Sequence, residues 1–222
     1  MNLKKMAGEE AAGYIEDGMV LGLGTGSTVY YTILRIGELA KDGCDLVGIP
    51  TSKKTEEMAR SLNIPIGSLD DYPNIDLTID GADEVDPRLN LIKGMGGALV
   101  REKIVAASSR KEIIVIDESK IVRRLGTRSP LPVEVIPFGA GFVRERLKVL
   151  GGNPKIRESD GKTFISDNGN IILDTVFDAI DRPEQLERDI NSIPGVVENG
   201  LFLGLADMVI VGHEDGPEIL ER

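Results

Sequence analysis

Cysteine and histidine are nearly absent from this chain. Cys44 and His213 are the only residues of their types, and there is no tryptophan. A single cysteine excludes an internal disulfide and a zinc site built from several cysteines. A single histidine excludes metal sites that need two imidazoles, and it allows a histidine-based triad only if His213 supplies it. Acid–base chemistry must therefore rest on carboxylates, lysines or tyrosines.

Positive charge and long apolar runs are also scarce. The 222 residues include 26 Lys and Arg against 37 Asp and Glu, a formal net charge of −11, which disfavours a general nucleic-acid or membrane surface. No stretch approaches the roughly 20 apolar residues of a membrane span, and the N-terminal segment lacks the apolar core of a signal peptide. We expect a cytoplasmic protein without nucleic-acid or membrane partners. An anionic small substrate still fits, because local lysines and amides override the global sign.

The first half of the chain alternates short apolar runs with helical patterns. Strands are predicted at residues 19–23, 45–49, 75–79 and 112–116, and helices at residues 3–14, 28–40, from about 52, and 98–108. Strands that alternate with helices predict an α/β domain with a parallel sheet and crossover connections.

The pattern changes near Ser129, where prolines surround a short strand in PLPVEVIP. A helix at 142–150, two short strands joined by an SDGK turn, a helix at 183–191 and a strand at 196–197 indicate a smaller α+β domain. The apolar run at 206–211 is expected to rejoin the first sheet. We therefore predict one domain from residues 1–128 plus 203–222, and a second, a candidate for oligomerisation, from 129–202.

The first motif, VLGLGTGST at residues 20–28, leads an apolar run through three glycines to two hydroxyl residues that open a helix. Glycines let several N–H groups face one anion, and a helix N-terminus favours negative charge. The motif has Ser27 where a dinucleotide fingerprint has its last glycine, and it lacks the lysine of a Walker A loop. It indicates a phosphate cradle, with an ordinary tight turn as the alternative.

The second motif, IDGADE, places Asp80, Asp83 and Glu84 just after an apolar strand. Ligands bind at the carboxyl ends of strands in open parallel sheets, and clustered carboxylates suit acid–base chemistry. On the residues alone, a solvated acidic loop or a helix cap fits equally well.

The third motif, LIKGMGGALVREKIVA at residues 91–106, puts Lys93 before a glycine-rich turn and Glu102 inside the next helix. The apolar neighbours Leu99 and Ile104 suggest that much of this helix is packed. Glu102 and Lys103 are adjacent, so only one of them can face a site, and a lone Glu in a helix is more often solvated.

Two single residues follow the later strands. Lys120, in the sequence DESK, fits either a solvated position or a phosphate contact. His213 lies beyond the last predicted strand, where we expect a surface loop and assign no catalytic role.

Together these segments resemble the type A ribose-5-phosphate isomerase family. GTGST, DGADE, a Lys-Gly-x-Gly-Gly stretch leading to REKI, DESK, LPVEVIP and IPGVVENGLF occur in the family's order and cover essentially the whole chain. DGADE together with KGMGGALVREKI is highly specific, whereas GTGST alone is not. Two mild departures are Met95 in the glycine turn and PTSKKT in place of a serine run after the second strand.

The resemblance implies a fold, an activity and an assembly. The fold is a Rossmann-like catalytic domain with a smaller ferredoxin-like α+β domain, assembled as a homodimer or homotetramer. The activity is the reversible isomerisation of D-ribose 5-phosphate to D-ribulose 5-phosphate through a cis-enediolate, in the non-oxidative pentose phosphate pathway. Neither a metal nor an organic cofactor is implied.

The resemblance also assigns roles to single residues. Glu102 becomes the general base, while Asp80, Asp83 and Lys93 line the sugar end, where they assist ring opening and stabilise the intermediate. The phosphate and the chain hydroxyls are assigned to Thr25, Gly26, Ser27, Thr28, Lys120 and Lys4. The resemblance also places Gly81, Ala82, Gly94, Met95 and Gly96 among the substrate-binding residues.

Three other functions fit the sequence less well. An amino-sugar-phosphate deaminase is weakened because His213 is poorly placed for ring opening. An acyl-CoA transferase would use Glu102 as a nucleophile, but no second half or CoA-sized site is evident. A sugar-phosphate sensor without catalysis usually carries a DNA-binding segment, and no basic helix-turn-helix is visible.

Overall fold

A computed structural model describes residues 2–222. Its helices are α1 (Leu3–Ala12), α2 (Val29–Lys41), α3 (Lys53–Ser61), α4 (Leu99–Ala107), α5 (Ala140–Val149) and α6 (Pro183–Asn191). Its strands are β1 (Met19–Leu23), β2 (Leu46–Pro50), β3 (Leu77–Asp80), β4 (Glu84–Val85), β5 (Leu91–Ile92), β6 (Glu112–Asp117), β7 (Leu131–Val135), β8 (Asn153–Ile156), β9 (Glu158–Ser159), β10 (Lys162–Thr163), β11 (Ile171–Val176), β12 (Val196–Asn199), β13 (Leu201–Phe202), β14 (Met208–His213) and β15 (Gly216–Glu221).

The described residues form two compact units. The first comprises the chain up to Ala82, Arg101–Lys120 and Gly204–Arg222, and the second comprises Asp83–Val100 and Ile121–Leu203. The boundaries differ from those expected from the sequence, since residues 83–100 and 121–128 group with the second unit. A small antiparallel sheet, β13-β5-β4, explains the grouping, because it pairs segments about a hundred residues apart in sequence that no local pattern links.

The first unit is built on a six-stranded sheet in the order β15-β14-β6-β3-β1-β2. All its strands are parallel except the edge strand β15, which forms an antiparallel hairpin with β14. The predicted parallel sheet and the return of the last apolar run to it are both confirmed, while β15 was not predicted. The central strands are almost wholly buried, as the continuous apolar run of β6 shows.

Strand order places a switch point beside β1. The chain leaves β1 for β2 on one side and then returns on the other side as β3, so the loops after β1 and β3 lead to opposite faces of the sheet. Open α/β sheets bind ligands at such points. Gly22 lets β1 and β3 approach here, because a Cβ at that position would lie 1.8 Å from Thr78 Oγ1.

The second unit contains a four-stranded antiparallel sheet in the order β12-β7-β11-β8, with α5 and α6 among its connections. This is the ferredoxin-like arrangement that the resemblance implied. The SDGK turn joins β9 to β10, with positive φ at both Asp160 (52°) and Gly161 (72°), as two-residue hairpin turns of this kind require. Val133, Leu147 and Leu173 are fully buried in its core.

Two local expectations were wrong. Ile104 is 49% exposed rather than packed, because it lies on the solvent side of α4. His213 ends strand β14 instead of occupying a loop beyond it, since the antiparallel partner β15 extends the pairing to that residue. No helix within residues 2–222 is long and apolar enough to cross a membrane.

Candidate active site

Asp80 fixes the turn that follows β1. It ends β3 and is fully buried, and its Oδ1 accepts hydrogen bonds from the N–H groups of Thr25 (3.0 Å) and Gly81 (2.7 Å). The turn comes so close that a Cβ on Gly24 would lie 2.2 Å from the same oxygen. Two backbone donors on one oxygen stabilise the carboxylate and set its orientation. The GTGST turn and the first residue of DGADE, which are far apart in the sequence, are thus joined in the first unit.

A cluster of hydroxyl groups anchors the same turn from β2 and α3. Thr25 Oγ1 lies 2.8 Å from Thr51 Oγ1, 2.9 Å from Ser52 Oγ and 3.1 Å from Thr55 Oγ1. Thr55 also donates to Gly24 O at 3.0 Å. Thr25 therefore has both its N–H and its hydroxyl engaged in holding the loop.

Thr25 was expected in the site, but its partners Thr51, Ser52 and Thr55 were not. A signal was available, because PTSKKT directly follows β2, the parallel neighbour of β1. Polar residues at the carboxyl ends of adjacent parallel strands meet at one edge. Ser52 has a second function as the N-cap of α3, where its hydroxyl accepts a hydrogen bond from Thr55 N at 3.1 Å.

The remainder of the GTGST turn forms an exposed cradle at the start of α2. Gly26 has φ +145° and, with Ser27, is solvent-exposed, while Thr28 occupies the N-cap position of the helix without a side-chain capping hydrogen bond. Lys4, from α1, donates to Ser27 Oγ at 2.9 Å. The cradle thus combines a helix N-terminus, a hydroxyl and an ammonium group, which together suit a phosphate.

Lys120 lies at the same edge of the sheet as this cradle. Lys120 is the last residue of a short 3₁₀ turn, Glu118–Lys120, that follows β6. In the sheet, β6 is two strands from β1. With strands about 4.8 Å apart, the ends of β6 and β1 are separated by roughly 10 Å. The side chain is half-buried.

Glu102 is the buried member of the Glu102–Lys103 pair. Its exposure is 3%, whereas Lys103 is partly exposed. Three residues further along α4, Val105 packs on β1, since a Cβ on Gly22 would meet Val105 Cγ1 at 2.7 Å. Glu102 therefore does not lie on the solvated face that a lone Glu usually occupies. Burying a carboxylate is costly, so this position calls for an explanation.

In the second unit, Asp83 and the glycine turn after β5 are linked. Asp83 N donates to Ile92 O at 2.8 Å, and Asp83 Oδ2 accepts from Met95 N at 3.0 Å. Gly94 (φ +106°) and Gly97 (φ +83°) adopt backbone conformations that favour glycine. Met95, the mild departure from the family pattern in this turn, is 42% exposed.

Lys93 is the largest fully buried side chain among the described residues, at 2% exposure. Its N–H donates to Gly200 O at 2.9 Å, and its Nζ lies 5.3 Å from the centroid of the Phe202 ring. Cation–π contact offsets part of the cost of burying an ammonium group. A buried lysine that immediately precedes a glycine turn is a strong candidate for binding a developing negative charge.

Glu84 does not share the chemistry suggested for the other acids of IDGADE. It is fully buried and accepts three backbone hydrogen bonds, from Gly126 N (2.7 Å), Arg128 N (2.6 Å) and Ser129 N (2.6 Å). Its carboxylate therefore organises the loop before β7.

His213 is held between two carboxylates. Its Nδ1 lies 3.0 Å from Glu118 Oε2, and its Nε2 lies 2.9 Å from Glu218 Oε2. The hydrogen bond to Glu118, supported by Glu218, holds the pKa of His213 above its usual value. Glu118 opens the turn that Lys120 closes.

Comparison with known proteins finds similarity over essentially the whole chain. The family model of ribose 5-phosphate isomerase A (phosphoriboisomerase A) matches residues 47–216. The chain is 49% identical over 217 residues to ribose-5-phosphate isomerase A of Bacillus mycoides, covering 97% of this chain and 98% of that protein.

Two solved structures are similar in fold as well as in sequence. One, ribose 5-phosphate isomerase A from Methanocaldococcus jannaschii, has a TM-score of 0.95 at 43% identity, over 99% of this chain and 98% of the other. The second, a D-ribose-5-phosphate isomerase in complex with phospho-erythronic acid, has a TM-score of 0.97 at 47% identity, over 100% of both chains.

Proposed function

The chain belongs to the ribose 5-phosphate isomerase A family and is a ribose-5-phosphate isomerase, and from this premise we propose how its residues divide the reaction. The aldose must open its ring, lose a proton from C2 and regain one at C1. Ring opening and proton transfer make different chemical demands, so we assign them to different groups. The burial of Glu102 at 3% exposure is the observation that carries the proposal.

Glu102 is the general base of the proposed mechanism. Aldose–ketose exchange through a cis-enediolate needs one base to remove the proton from C2 and return it to C1, and a single carboxylate suffices. A buried position limits exchange of the carried proton with water, which favours direct transfer between the two carbons.

Lys93 and the N–H groups of the following glycine turn stabilise the oxyanion that develops on the sugar. Preorganised donors around a developing charge supply several kcal/mol of transition-state stabilisation without a metal ion. The backbone N–H of Lys93 is fixed by its hydrogen bond to Gly200 O. The ammonium group therefore needs little reorganisation when negative charge develops on the sugar oxygen.

Asp80 and Asp83 are assigned to ring opening. Opening a furanose needs an acid at one oxygen and a base at another. These two carboxylates come from the short segment DGAD, which leads from the end of β3 to β4 and also presents Gly81 and Ala82. Each is held by a backbone donor, Asp80 by Thr25 and Asp83 by Met95.

Phosphate binding is assigned to the cradle of Gly26, Ser27 and Thr28 with Lys4 and Lys120. The contact between Lys4 and Ser27, 2.9 Å, supports this assignment because a phosphate there would meet both groups at once. The relative in complex with phospho-erythronic acid supports a phosphorylated ligand for this chain too.

The proposed assembly is a homodimer or homotetramer formed through the second unit, in the cytoplasm. Four large apolar side chains are exposed within a short segment of that unit: Ile136 (49%), Phe138 (102%), Phe142 (49%) and Val149 (78%). Exposed apolar side chains concentrated in this way mark protein–protein contacts more often than free surface.

The proposed mechanism is tested by incubating purified, EDTA-treated protein with ribose 5-phosphate and following ketose formation. We expect turnover to survive chelation, because the assigned oxyanion donors are Lys93 and backbone amides. Loss of turnover that a divalent metal restores would contradict this cofactor-free mechanism.

A further inference from the structure

Arg157 is a buried cation of the second unit that the mechanism above does not use. It follows β8, and only 10% of its side chain is exposed. Its Nε donates to Asp174 Oδ2 on β11 at 2.9 Å, and its Nη2 pairs with Asp174 Oδ1. This two-point pairing with a carboxylate fixes the plane of the guanidinium.

The third nitrogen of Arg157 contacts the glycine turn after Lys93. Nη1 donates to Gly94 O at 2.8 Å and to Met95 O at 3.1 Å. In a trans peptide the carbonyl and the next N–H point in opposite directions. Two carbonyls turned towards Arg157 therefore turn the N–H groups of Met95 and Gly96 away from it.

The first of these two N–H groups has an observed acceptor. Met95 N donates to Asp83 Oδ2 at 3.0 Å, so the side of the turn opposite Arg157 is the side on which a proposed catalytic carboxylate lies. By the same geometry, the Gly96 N–H is directed to that side. Gly96 itself is exposed, which leaves room for a substrate oxygen there.

Phe164, which follows β10, packs between Arg157 and the glycine turn. The centroid of its ring lies 5.9 Å from Arg157 Cζ. On the other side, a Cβ on Gly97 would come within 2.4 Å of Phe164 Cζ. The ring thus fills the space between the guanidinium and the end of the turn, and Gly97 must be glycine for its contact as well as for its φ of +83°.

We propose that Arg157 is a positioning residue for the isomerisation. It locks the two peptide groups that follow Gly94 and Met95, so that one N–H holds Asp83 and the next faces the oxyanion of the intermediate. The inference rests on the proposed role of the Lys93 turn. Lysine cannot substitute, because one ammonium group cannot pair with both Asp174 oxygens while donating to two carbonyls in a fixed plane.

The test compares Arg157→Lys with Arg124→Lys. Arg124 also pairs with an aspartate of the same unit, Asp181. In that pair, however, both side chains are largely exposed. Loss of an oxyanion donor costs about 10²–10³ in kcat, so we expect a displaced donor to cost about ten- to a hundredfold. The KM for ribose 5-phosphate and the inhibition constant of inorganic phosphate should change less than threefold, and Arg124→Lys should behave as wild type.

A purely structural role for Arg157 predicts a different result. Arg157→Lys would then lower the melting temperature and leave the kcat of the folded enzyme unchanged, which would overturn the proposal. If Arg157→Lys does not fold, the double variant Arg157→Gln/Asp174→Asn removes both charges and leaves no buried carboxylate unpaired. The same loss of kcat in that variant supports the proposal, and wild-type kcat overturns it.

Lys93→Ala, measured in parallel, separates this inference from the mechanism on which it rests. An active Lys93→Ala enzyme would mean that the proposed function of the turn is wrong. An inactive Lys93→Ala enzyme beside a fully active Arg157→Lys enzyme would overturn only the positioning role of Arg157.

Discussion

Glu102 and Lys103 are adjacent in the sequence, yet only Glu102 is buried. Glu102→Gln keeps the shape of the side chain and removes its basicity, so the fold and substrate binding should persist. We expect kcat to fall by about three powers of ten or more, in line with the roughly 10²–10⁴-fold worth of general-base catalysis. The measurement is ribulose 5-phosphate formation by the purified variant.

Lys103→Gln is the matched control for this prediction, and it should retain wild-type turnover. A single shielded base also predicts that part of the substrate's C2 hydrogen reaches C1 when the reaction runs in deuterated water. Near-wild-type turnover of Glu102→Gln would contradict the assignment, and the base would then have to be Asp80 or Asp83.

Lys120 is predicted to act in binding and not in the chemical step. A phosphate contact exists in both the ground state and the transition state, so Lys120→Ala should mainly raise KM, by about tenfold, with kcat little changed. Steady-state kinetics with ribose 5-phosphate measure both constants. Lys162→Ala, at an exposed lysine on β10, should leave both unchanged. A collapse of kcat at constant KM would place Lys120 in the chemistry.

At the scale of elements, the junction of β1 with β3 depends on Gly24. An alanine there would place its Cβ 2.2 Å from Asp80 Oδ1 and 2.5 Å from Asp80 Cα. The clash is with the backbone as well as the carboxylate, so relief requires movement of the β3 end. We expect Gly24→Ala to lower the free energy of unfolding by about 1–3 kcal/mol and to reduce turnover strongly, as measured by urea unfolding and kinetics.

Gly141→Ala provides the comparison for Gly24→Ala. Gly141 lies in α5, and a Cβ there would meet no atom within 4 Å. Alanine in a helix is favoured over glycine by about 0.5–1 kcal/mol, so this variant should be as stable as wild type or more so. A tolerated Gly24→Ala with full activity would show that the tight contact with Asp80 is not needed.

His213 ties the turn Glu118–Lys120 to the β14–β15 hairpin, and its contribution depends on pH. Because Glu118 and Glu218 raise the pKa of His213 in the folded chain, protonation stabilises the fold. That stabilisation is complete below the unfolded-state pKa of about 6.5 and is lost as pH rises through the raised folded-state pKa. All three side chains are partly exposed, so the effect is on the order of 1 kcal/mol or less.

The matching measurement is the difference in unfolding free energy between wild type and His213→Gln at pH 6 and pH 9. We expect a larger difference at pH 6. Arg60→Gln breaks the exposed pair of Arg60 with Glu56, which contains no imidazole, and should cost the same at both pH values. A His213→Gln effect that does not vary with pH would mean that the imidazole acts only as a neutral hydrogen-bonding group.

At the scale of the whole molecule, the exposed apolar side chains of the second unit predict self-association. Phe138 is fully exposed, so Phe138→Asp should not disturb folding but should weaken any interface that buries the ring. Light scattering coupled to size exclusion should show a smaller assembly than wild type. Ile219→Asp, at an exposed apolar position of β15 in the first unit, should keep the wild-type mass. An unchanged mass for Phe138→Asp would place the interface elsewhere.

Local pattern was sufficient for most of the elements. The alternation of apolar runs and helical segments predicted the strands of the parallel sheet and all six helices, with ends displaced by a few residues. Glycine and aspartate positions predicted the β9–β10 turn, because positive φ is a property of the residues themselves. The motifs GTGST and DGADE also marked strand ends, since polar residues that follow a buried apolar run must lie where the strand leaves the sheet.

Other features depend on contacts that the sequence does not encode locally. The sheet of β4, β5 and β13, the hydroxyl cluster around Thr25, and the contact of Arg157 with a turn 63 residues earlier all join distant segments. The burial of Glu102 in preference to Lys103 is of the same kind, because it depends on how α4 is rotated against β1. The sequence by itself determined the elements, the motifs and the family. The tertiary structure decided which side chains are buried and which backbone groups they orient, because burial and hydrogen bonding arise only when the chain is folded.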